Sequence, residues 1–136
     1  MLFRSTDVVG FSERRVTELS GGERSRVALA RVLAVEAPVI LADEPTASLD
    51  PRHQIDVMKN LRTAADRDVL VIVVTHDLGL AARFADHVLV LSEGKLVSEG
   101  APAQALSERV MGEVFRISAY RAEYQREAVI VPWAEI

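Results

Sequence analysis

Three short, continuous apolar runs dominate the hydrophobic pattern, at 39–42, 69–74 and 88–91. Runs without polar interruptions are typical of parallel strands that are covered on both faces. Between them, apolar residues at helical spacing predict helices from Pro51 to about Ala65 and from Leu78 to Phe84. Alternating strands and helices of this kind predict an α/β fold with a parallel sheet and right-handed crossovers.

Further elements are predicted on either side of this core. A helix from Gly21 to about Val35 has a stripe of apolar residues and should pack on the sheet. The turn 92–94 and the return strand 95–97 predict an antiparallel hairpin at the end of the sheet. From Ser107 onward the apolar spacing indicates another amphipathic helix, followed by a small strand at 128–132.

Composition narrows the possible classes of protein. The chain has 136 residues, which fits one domain, and 49% hydrophobic residues are enough for a packed core. It contains no cysteine, so disulfides and thiolate chemistry are excluded. No window approaches the ~18 consecutive apolar residues of a membrane span, so direct membrane insertion is not expected. A net charge of −4 disfavours nucleic acid as a partner.

The segment Leu19-Ser20-Gly21-Gly22-Glu23 is the first with candidate chemistry. Ser20 and Glu23 have the spacing of a capping box at a helix start. Capping does not explain two glycines in a first helical turn, because glycine disfavours helix formation. Bare backbone N–H groups at a helix N-terminus suit close contact with a phosphate. A simple helix cap and a phosphate site both remain open.

Two adjacent carboxylates, Asp43 and Glu44, follow the first apolar run and precede Pro45. The carboxyl ends of parallel strands are where α/β folds place ligands. Neighbouring strand residues point in opposite directions, so one carboxylate could hold Mg²⁺ and the other could orient or deprotonate a water. A solvated turn that merely ends the strand is the alternative.

Two further segments lie after predicted strands. Asp50 and Pro51 have the order of an N-cap followed by a first helical residue, which local capping explains by itself. His76 follows the longest apolar run and could hydrogen-bond a phosphate oxygen or a water, and Asp77 could cap the next helix. His53 and His87 are expected to be surface residues without such a role.

Taken in this order, the motifs at 19–23, 43–45, 48–50 and 75–77 resemble those of the ATP-binding subunits of ABC transporters. The resemblance runs from about Leu19 to Gly100, and 19–23 resembles the signature that distinguishes this family. It implies a P-loop NTPase-like, RecA-like core with a parallel sheet, flanking helices and a terminal antiparallel hairpin. The segments 48–65 and 100–106 look most similar to importer ATPases for haem, siderophores or cobalamin.

The resemblance also implies roles for individual residues. Ser20, Gly21, Gly22 and Glu23 match the signature that contacts the γ-phosphate of ATP on the opposite subunit of a head-to-tail dimer. Asp43 matches the aspartate that helps hold Mg²⁺, and Glu44 matches the glutamate that polarises the attacking water. Asp50 is similar to an aspartate that communicates across the dimer, and His76 to a histidine that senses the γ-phosphate.

One motif of the family is missing from the printed sequence. A phosphate loop has the pattern G-x-x-x-x-G-K followed by Ser or Thr, and the only Gly-Lys pair here is Gly94-Lys95 in the predicted hairpin. We therefore expect the chain to be the C-terminal part of an ATPase domain, inactive alone and truncated at the N-terminus. Its predicted parts are the end of a helical subdomain with the signature helix (1–35), the carboxylate and histidine core (36–100) and a C-terminal helical extension (101–136). Loss of the other half is also expected to expose an apolar face and a sheet edge.

The function expected from the resemblance is coupling of ATP hydrolysis to solute transport, with import of an iron complex favoured. Expected partners are ATP, Mg²⁺, a second ATPase subunit and a transmembrane permease. The permease would keep the protein at the inner face of the cell membrane. Two alternatives are a non-catalytic module that completes a partner's ATP site and a soluble ABC-type ATPase of DNA repair or translation.

Overall fold

The computed structural model describes residues 6–136, and it divides into one compact unit that ends at Thr75 and a second unit from His76 to Ile136. The predicted interval 1–35 therefore begins with five residues that lie outside the described part of the chain. The predicted interval 36–100 contains residues of both units.

Within residues 6–75, the first unit contains two α-helices and a pair of parallel strands. After two short 3₁₀ turns, its elements are α1 (Gly21–Ala34), β1 (Val39–Asp43), α2 (Pro51–Ala65) and β2 (Leu70–Val74). Strand β1 pairs with β2 in parallel, and Val39 lies opposite Leu70. All four elements lie where the sequence predicted them, because each helix has its own capping residue and each strand is an uninterrupted apolar run.

One face of this strand pair is packed and the other is exposed. Ile40 on β1 is only 5% exposed, and the helical core residues Val57, Met58 and Leu61 are buried in the same unit. The opposite face carries the exposed apolar side chains Val39, Leu41, Leu70, Ile72 and Val74. The expectation that both faces are covered is wrong for this pair, whereas the expectation of an exposed apolar face is confirmed.

The second unit consists mainly of two antiparallel hairpins. Its elements are α3 (Leu78–Phe84), β3 (Val88–Ser92), β4 (Lys95–Gly100), two short helices α4 (Pro102–Ala105) and α5 (Glu108–Val110), a π-helical turn (Met111–Phe115), β5 (Ile117–Tyr124) and β6 (Glu127–Glu135). Its core contains apolar residues from most of these elements, among them Val90, Leu106, Val110, Met111 and Ile130.

Strand β3 has a different partner from the one implied by a three-stranded parallel sheet. Within residues 6–136, the strands form three two-stranded sheets, and β3 pairs antiparallel with β4. The predicted hairpin is confirmed: Glu93 and Gly94 have φ of 49° and 73°, the left-handed conformation that tight hairpin turns require. The prediction that β3 continues the parallel sheet is not met in this structure.

The predicted C-terminal helical extension over 101–136 is wrong beyond Phe115. Arg116 adopts a left-handed conformation that ends the helical turn, and β5 and β6 then form a long antiparallel hairpin. Gln125 and Arg126 both have positive φ and make its turn, although neither is a residue type that signals such a turn. The predicted small strand at 128–132 lies within the longer strand β6.

Within residues 6–136, none of the helices is both long enough and apolar enough to span a bilayer.

Candidate functional site

The start of α1 is closed by a reciprocal pair of hydrogen bonds. The backbone N–H of Glu23 donates to Ser20 Oγ at 3.3 Å, and the backbone N–H of Ser20 donates to Glu23 Oε2 at 2.7 Å. This is the capping box that the spacing predicted, and it satisfies two N–H groups that a helix start leaves without partners. Because Ser20 uses its oxygen as an acceptor, its hydroxyl hydrogen can still be donated to another group.

Arg14 reinforces this helix start from outside the motif. Its guanidinium donates to Glu23 Oε1 at 3.0 Å and to the carbonyl oxygen of Glu18 at 2.7 Å, and it lies 5.6 Å from the centre of the Phe11 ring. The backbone N–H of Ser20, followed by Arg14, holds the pKa of the Glu23 carboxyl below its usual value. The sequence offered no signal for Arg14, because a 3₁₀ turn brings it to Glu23 from nine positions away.

The two glycines of the motif leave the first helical turn accessible. A Cβ at Gly21 would meet no heavy atom within 4 Å, and a Cβ at Gly22 would lie 3.8 Å from Leu49 Cδ2. Neither glycine is therefore required by close packing, and neither has a positive φ. Open space beside bare backbone N–H groups is what close approach of an anion requires.

Asp43 and Glu44 lie at the carboxyl end of β1. Asp43 is exposed and lies opposite Val74 of β2, whose carbonyl oxygen accepts the backbone N–H of Glu44 at 2.9 Å. Glu44 has a φ of 46°, so the chain leaves the strand at this residue. The alternation that predicted opposite side-chain directions for the two carboxylates therefore does not extend to Glu44.

The chain from Glu44 to Asp50 is a tightly bonded loop. The backbone N–H of Ala47 donates to the carbonyl oxygen of Glu44 at 3.1 Å, and that of Leu49 donates to the carbonyl oxygen of Thr46 at 3.3 Å. Thr46 is buried, and its carbonyl oxygen also accepts from Gln54 Nε2 at 3.3 Å. Ser48 has a φ of 60°, a left-handed conformation that is unfavourable for serine. The hydrogen bonds of the loop must offset its energetic cost.

Asp50 caps α2 as predicted and has a second bond to the same residue. Its Oδ1 accepts the backbone N–H of His53 at 3.1 Å, while its Oδ2 lies 2.6 Å from His53 Nδ1. The backbone bond from His53, followed by the bond from its side chain, lowers the pKa of the Asp50 carboxyl. His53 was predicted to be a plain surface residue. The spacing of three from an N-cap aspartate was the available signal for this contact.

His76 belongs to the second unit, whereas the other predicted site residues belong to the first. It is exposed in the connection between β2 and α3. The neighbouring Asp77 caps α3 as predicted, accepting the backbone N–H of Leu80 at 2.8 Å. His87 is a surface residue as expected, with its Nε2 atom 3.9 Å from Glu99 Oε2.

Among the described residues, no three histidine, aspartate or glutamate side chains are grouped so that they could hold a metal ion. Asp43 could supply one carboxylate, which suits Mg²⁺ because that ion usually takes one or two protein carboxylates and completes its shell with water and phosphate oxygens.

Comparisons with known proteins agree with these motifs. The family model for the ABC transporter domain matches residues 2–47. The hemin import ATP-binding protein HmuV of Rhodococcus jostii is 52% identical over 112 residues, which are 82% of this chain and 38% of the relative. The cobalamin import ATP-binding protein BtuD of Halobacterium salinarum is 49% identical over 111 residues, which are 81% of this chain and 28% of the relative.

A solved structure shows the same fold. The ATP-binding cassette MJ0796, a dimer in a post-hydrolysis state bound to ADP and Pi, superposes with a TM-score of 0.66 and 34% identity. The match covers 74% of this chain and 44% of that one. The α/β, P-loop NTPase-like fold predicted from the motifs is thereby confirmed, and the chain spans less than half the length of the relatives described here.

Proposed function

Because this chain belongs to the family of ABC transporter ATP-binding domains, we propose that it is part of a subunit that couples ATP hydrolysis to import of a solute. The solute proposed is an iron complex such as haem or a siderophore. Support for the solute comes from the relatives, among them a hemin importer and a cobalamin importer. Support for the ATP chemistry comes from the residues of the first unit.

The observation that carries the proposal is the open start of α1. This helix has 14 residues, so its first turn has free N–H groups and the positive end of a helix dipole. Ser20 can donate its hydroxyl hydrogen, and a Cβ added at Gly21 would meet no atom of another part of the chain within 4 Å. A γ-phosphate held by a second subunit would find two kinds of hydrogen-bond donor there, the Ser20 hydroxyl and backbone N–H groups, at the positive end of the helix dipole.

The carboxylates supply the other half of the chemistry. Asp43 would hold Mg²⁺, which when bound neutralises phosphate charge. Glu44 would orient and polarise the attacking water, and its backbone is fixed for this by the bond to Val74. His76 would hydrogen-bond the γ-phosphate. Asp50, as the cap of α2, would face the second subunit.

The proposed assembly is a head-to-tail pair of ATPase subunits bound to a transmembrane permease at the inner face of the membrane. The solved cassette MJ0796 is a dimer bound to ADP and Pi, which supports the pairing. The relatives are import ATP-binding proteins, and this supports the proposal that a separate permease carries the solute across the membrane.

A fusion tests the proposal. A segment that carries the phosphate-loop pattern G-x-x-x-x-G-K followed by Ser or Thr would be joined to this chain, and ATP hydrolysis would be measured. We expect activity in the fusion, near-complete loss with Glu44→Gln, and retained Mg²⁺-ATP binding in that variant. Glu36→Gln, a change at an exposed residue, is the matched control. Activity that survives Glu44→Gln would disprove the role of Glu44.

Calorimetric titration of Mg²⁺-ATP into the 136-residue chain alone distinguishes enzyme from interaction module. Without the phosphate loop we expect no binding in a folded sample. Micromolar binding that is abolished by Asp43→Ala would show a phosphate site that does not need the phosphate loop. It would contradict the expectation that this chain cannot bind ATP alone.

A further inference from the structure

His53 makes two different bonds to one carboxylate. Its backbone N–H donates to Asp50 Oδ1, and its ring nitrogen Nδ1 lies 2.6 Å from Asp50 Oδ2. The lowered pKa keeps Asp50 ionised at neutral pH, and an ionised carboxylate only accepts hydrogen bonds. Nδ1 therefore carries the hydrogen. The side chain of His53 is 28% exposed and that of Asp50 is 58% exposed, so one side of the pair remains open to solvent.

The neighbouring residue Gln54 fastens the other end of the same loop. Its side chain donates to the carbonyl oxygen of Thr46, and its backbone N–H donates to the carbonyl oxygen of Asp50 at 2.9 Å. Two consecutive residues in the first turn of α2 thus hold both ends of the segment 46–50. Between these ends lies Leu49, whose Cδ2 is 3.8 Å from the position of a Cβ on Gly22.

We propose that His53 is a positioning residue: it sets the orientation of the Asp50 carboxylate and, through it, holds the segment 46–50 beside the start of α1. Each carboxylate oxygen has two lone pairs, so Asp50 can still accept from a donor on another molecule. By orienting the carboxylate, His53 fixes the directions of the lone pairs that remain on its two oxygens. The contact within the chain stands by itself, and only its consequence for hydrolysis rests on the proposed function.

Two substitutions at position 53 distinguish the contribution of the ring nitrogen Nδ1 from that of Nε2. In Asn the side-chain nitrogen is three bonds from Cα, as Nδ1 is in His, whereas in Gln it is four bonds away, as Nε2 is. His53→Asn therefore keeps a donor at the position of Nδ1, and His53→Gln removes it while leaving a polar side chain of similar size. The matched control is His87→Gln, at a surface histidine of the other unit.

The first readout is the pKa of the Asp50 carboxyl, followed by ¹³C NMR in the 136-residue chain. His53→Gln should raise this pKa towards its ordinary value of 3.8, but not all the way, because the bond from the backbone N–H of His53 remains. His53→Asn should leave it below the His53→Gln value, and His87→Gln should not change it. Equal Asp50 pKa values in the parent chain and in His53→Gln would overturn the proposal.

The second readout is amide hydrogen exchange at Leu49, whose N–H donates within the loop. His53→Gln should speed this exchange by about threefold or more, with the exchange of β1 unchanged as evidence that the unit is folded. His53→Asn should restore slow exchange. Unchanged exchange in His53→Gln would show that the pair does not hold the loop.

The third readout is hydrolysis by the fusion described above. His53→Gln should lower kcat more than it changes KM for ATP, and His53→Asn should recover part of the loss. An unaltered kcat in His53→Gln would show that the contact between His53 and Asp50 does not affect ATP hydrolysis. An inactive parent fusion would count against the proposed function, and the titration of Asp50 would still decide the role of His53.

Discussion

Ser20 and Glu23 are bonded to each other twice across the first turn of α1, each accepting the backbone N–H of the other. The bonds close a helix start that is otherwise open to solvent, and Arg14 adds a charged contact on Glu23. The residues that would receive a phosphate are therefore held by local hydrogen bonds before any ligand arrives.

Replacing Ser20 by alanine removes one of these bonds. Ser20→Ala should lower the free energy of unfolding by about 1 kcal/mol, the usual effect of losing an N-cap side chain. Chemical denaturation followed by circular dichroism measures this difference. Ser107→Ala is the control, since Ser107 occupies the same position before α5 but makes no capping bond through its side chain. An equal loss in both variants would show that the capping bond contributes nothing.

Glu23 should make stability depend on pH. Its pKa is lowered in the folded chain, first by the Ser20 N–H and then by Arg14, so the native state favours the ionised form. The stabilisation is present above the ordinary pKa of 4.5 and is lost as the pH falls through the lower folded value. Denaturation midpoints between pH 7 and pH 3 should therefore decline less steeply for Glu23→Gln than for the parent. Identical slopes in the two proteins would contradict this assignment.

Gly22 and Gly79 occupy the same position, the second residue, in α1 and α3. A Cβ at Gly22 would make an ordinary contact at 3.8 Å, whereas one at Gly79 would lie 3.2 Å from the carbonyl oxygen of Ile130. Gly22→Ala should leave stability unchanged or raise it by up to about 1 kcal/mol, and Gly79→Ala should lower it.

Hydrolysis by the fusion should respond differently from stability. Gly22→Ala should reduce ATP hydrolysis strongly, because its methyl group occupies space beside the N–H groups offered to the phosphate. A stable and fully active Gly22→Ala fusion would show that bare backbone is not needed there. Loss of stability in Gly22→Ala would instead point to a packing role for this glycine.

The outer face of the β1 and β2 pair should drive self-association. Leu41 is 75% exposed and lies opposite Ile72, which is 44% exposed. Leu41→Thr should reduce self-association in analytical ultracentrifugation and change stability by no more than about 0.5 kcal/mol. Ile40→Thr, at the buried neighbour, should cost about 1–3 kcal/mol through an unsatisfied hydroxyl. A monomeric parent chain, or equal association in Leu41→Thr, would contradict the role of this face.

The positions of α1, α2 and α3 were predictable because each start depends on a few neighbouring residues. Ser20, Asp50 and Asp77 all accept a backbone N–H three residues ahead, and that spacing is visible in the sequence. The contact between Asp50 and His53 has the same short spacing. It was missed because the sequence does not show whether a histidine ring turns back towards the cap.

The amino-acid sequence by itself determined the helix starts, the apolar strands, the order of the signature motifs and the family they indicate. Tertiary structure decided the antiparallel partner of β3, the exposed face of the first strand pair, the contact of Arg14 with Glu23 and the C-terminal hairpin. Local hydrogen bonds follow from the spacing of a few residues. Strand pairing and burial depend on which distant segments meet and on backbone conformations, such as those of Arg116, Gln125 and Arg126, that these residue types do not signal.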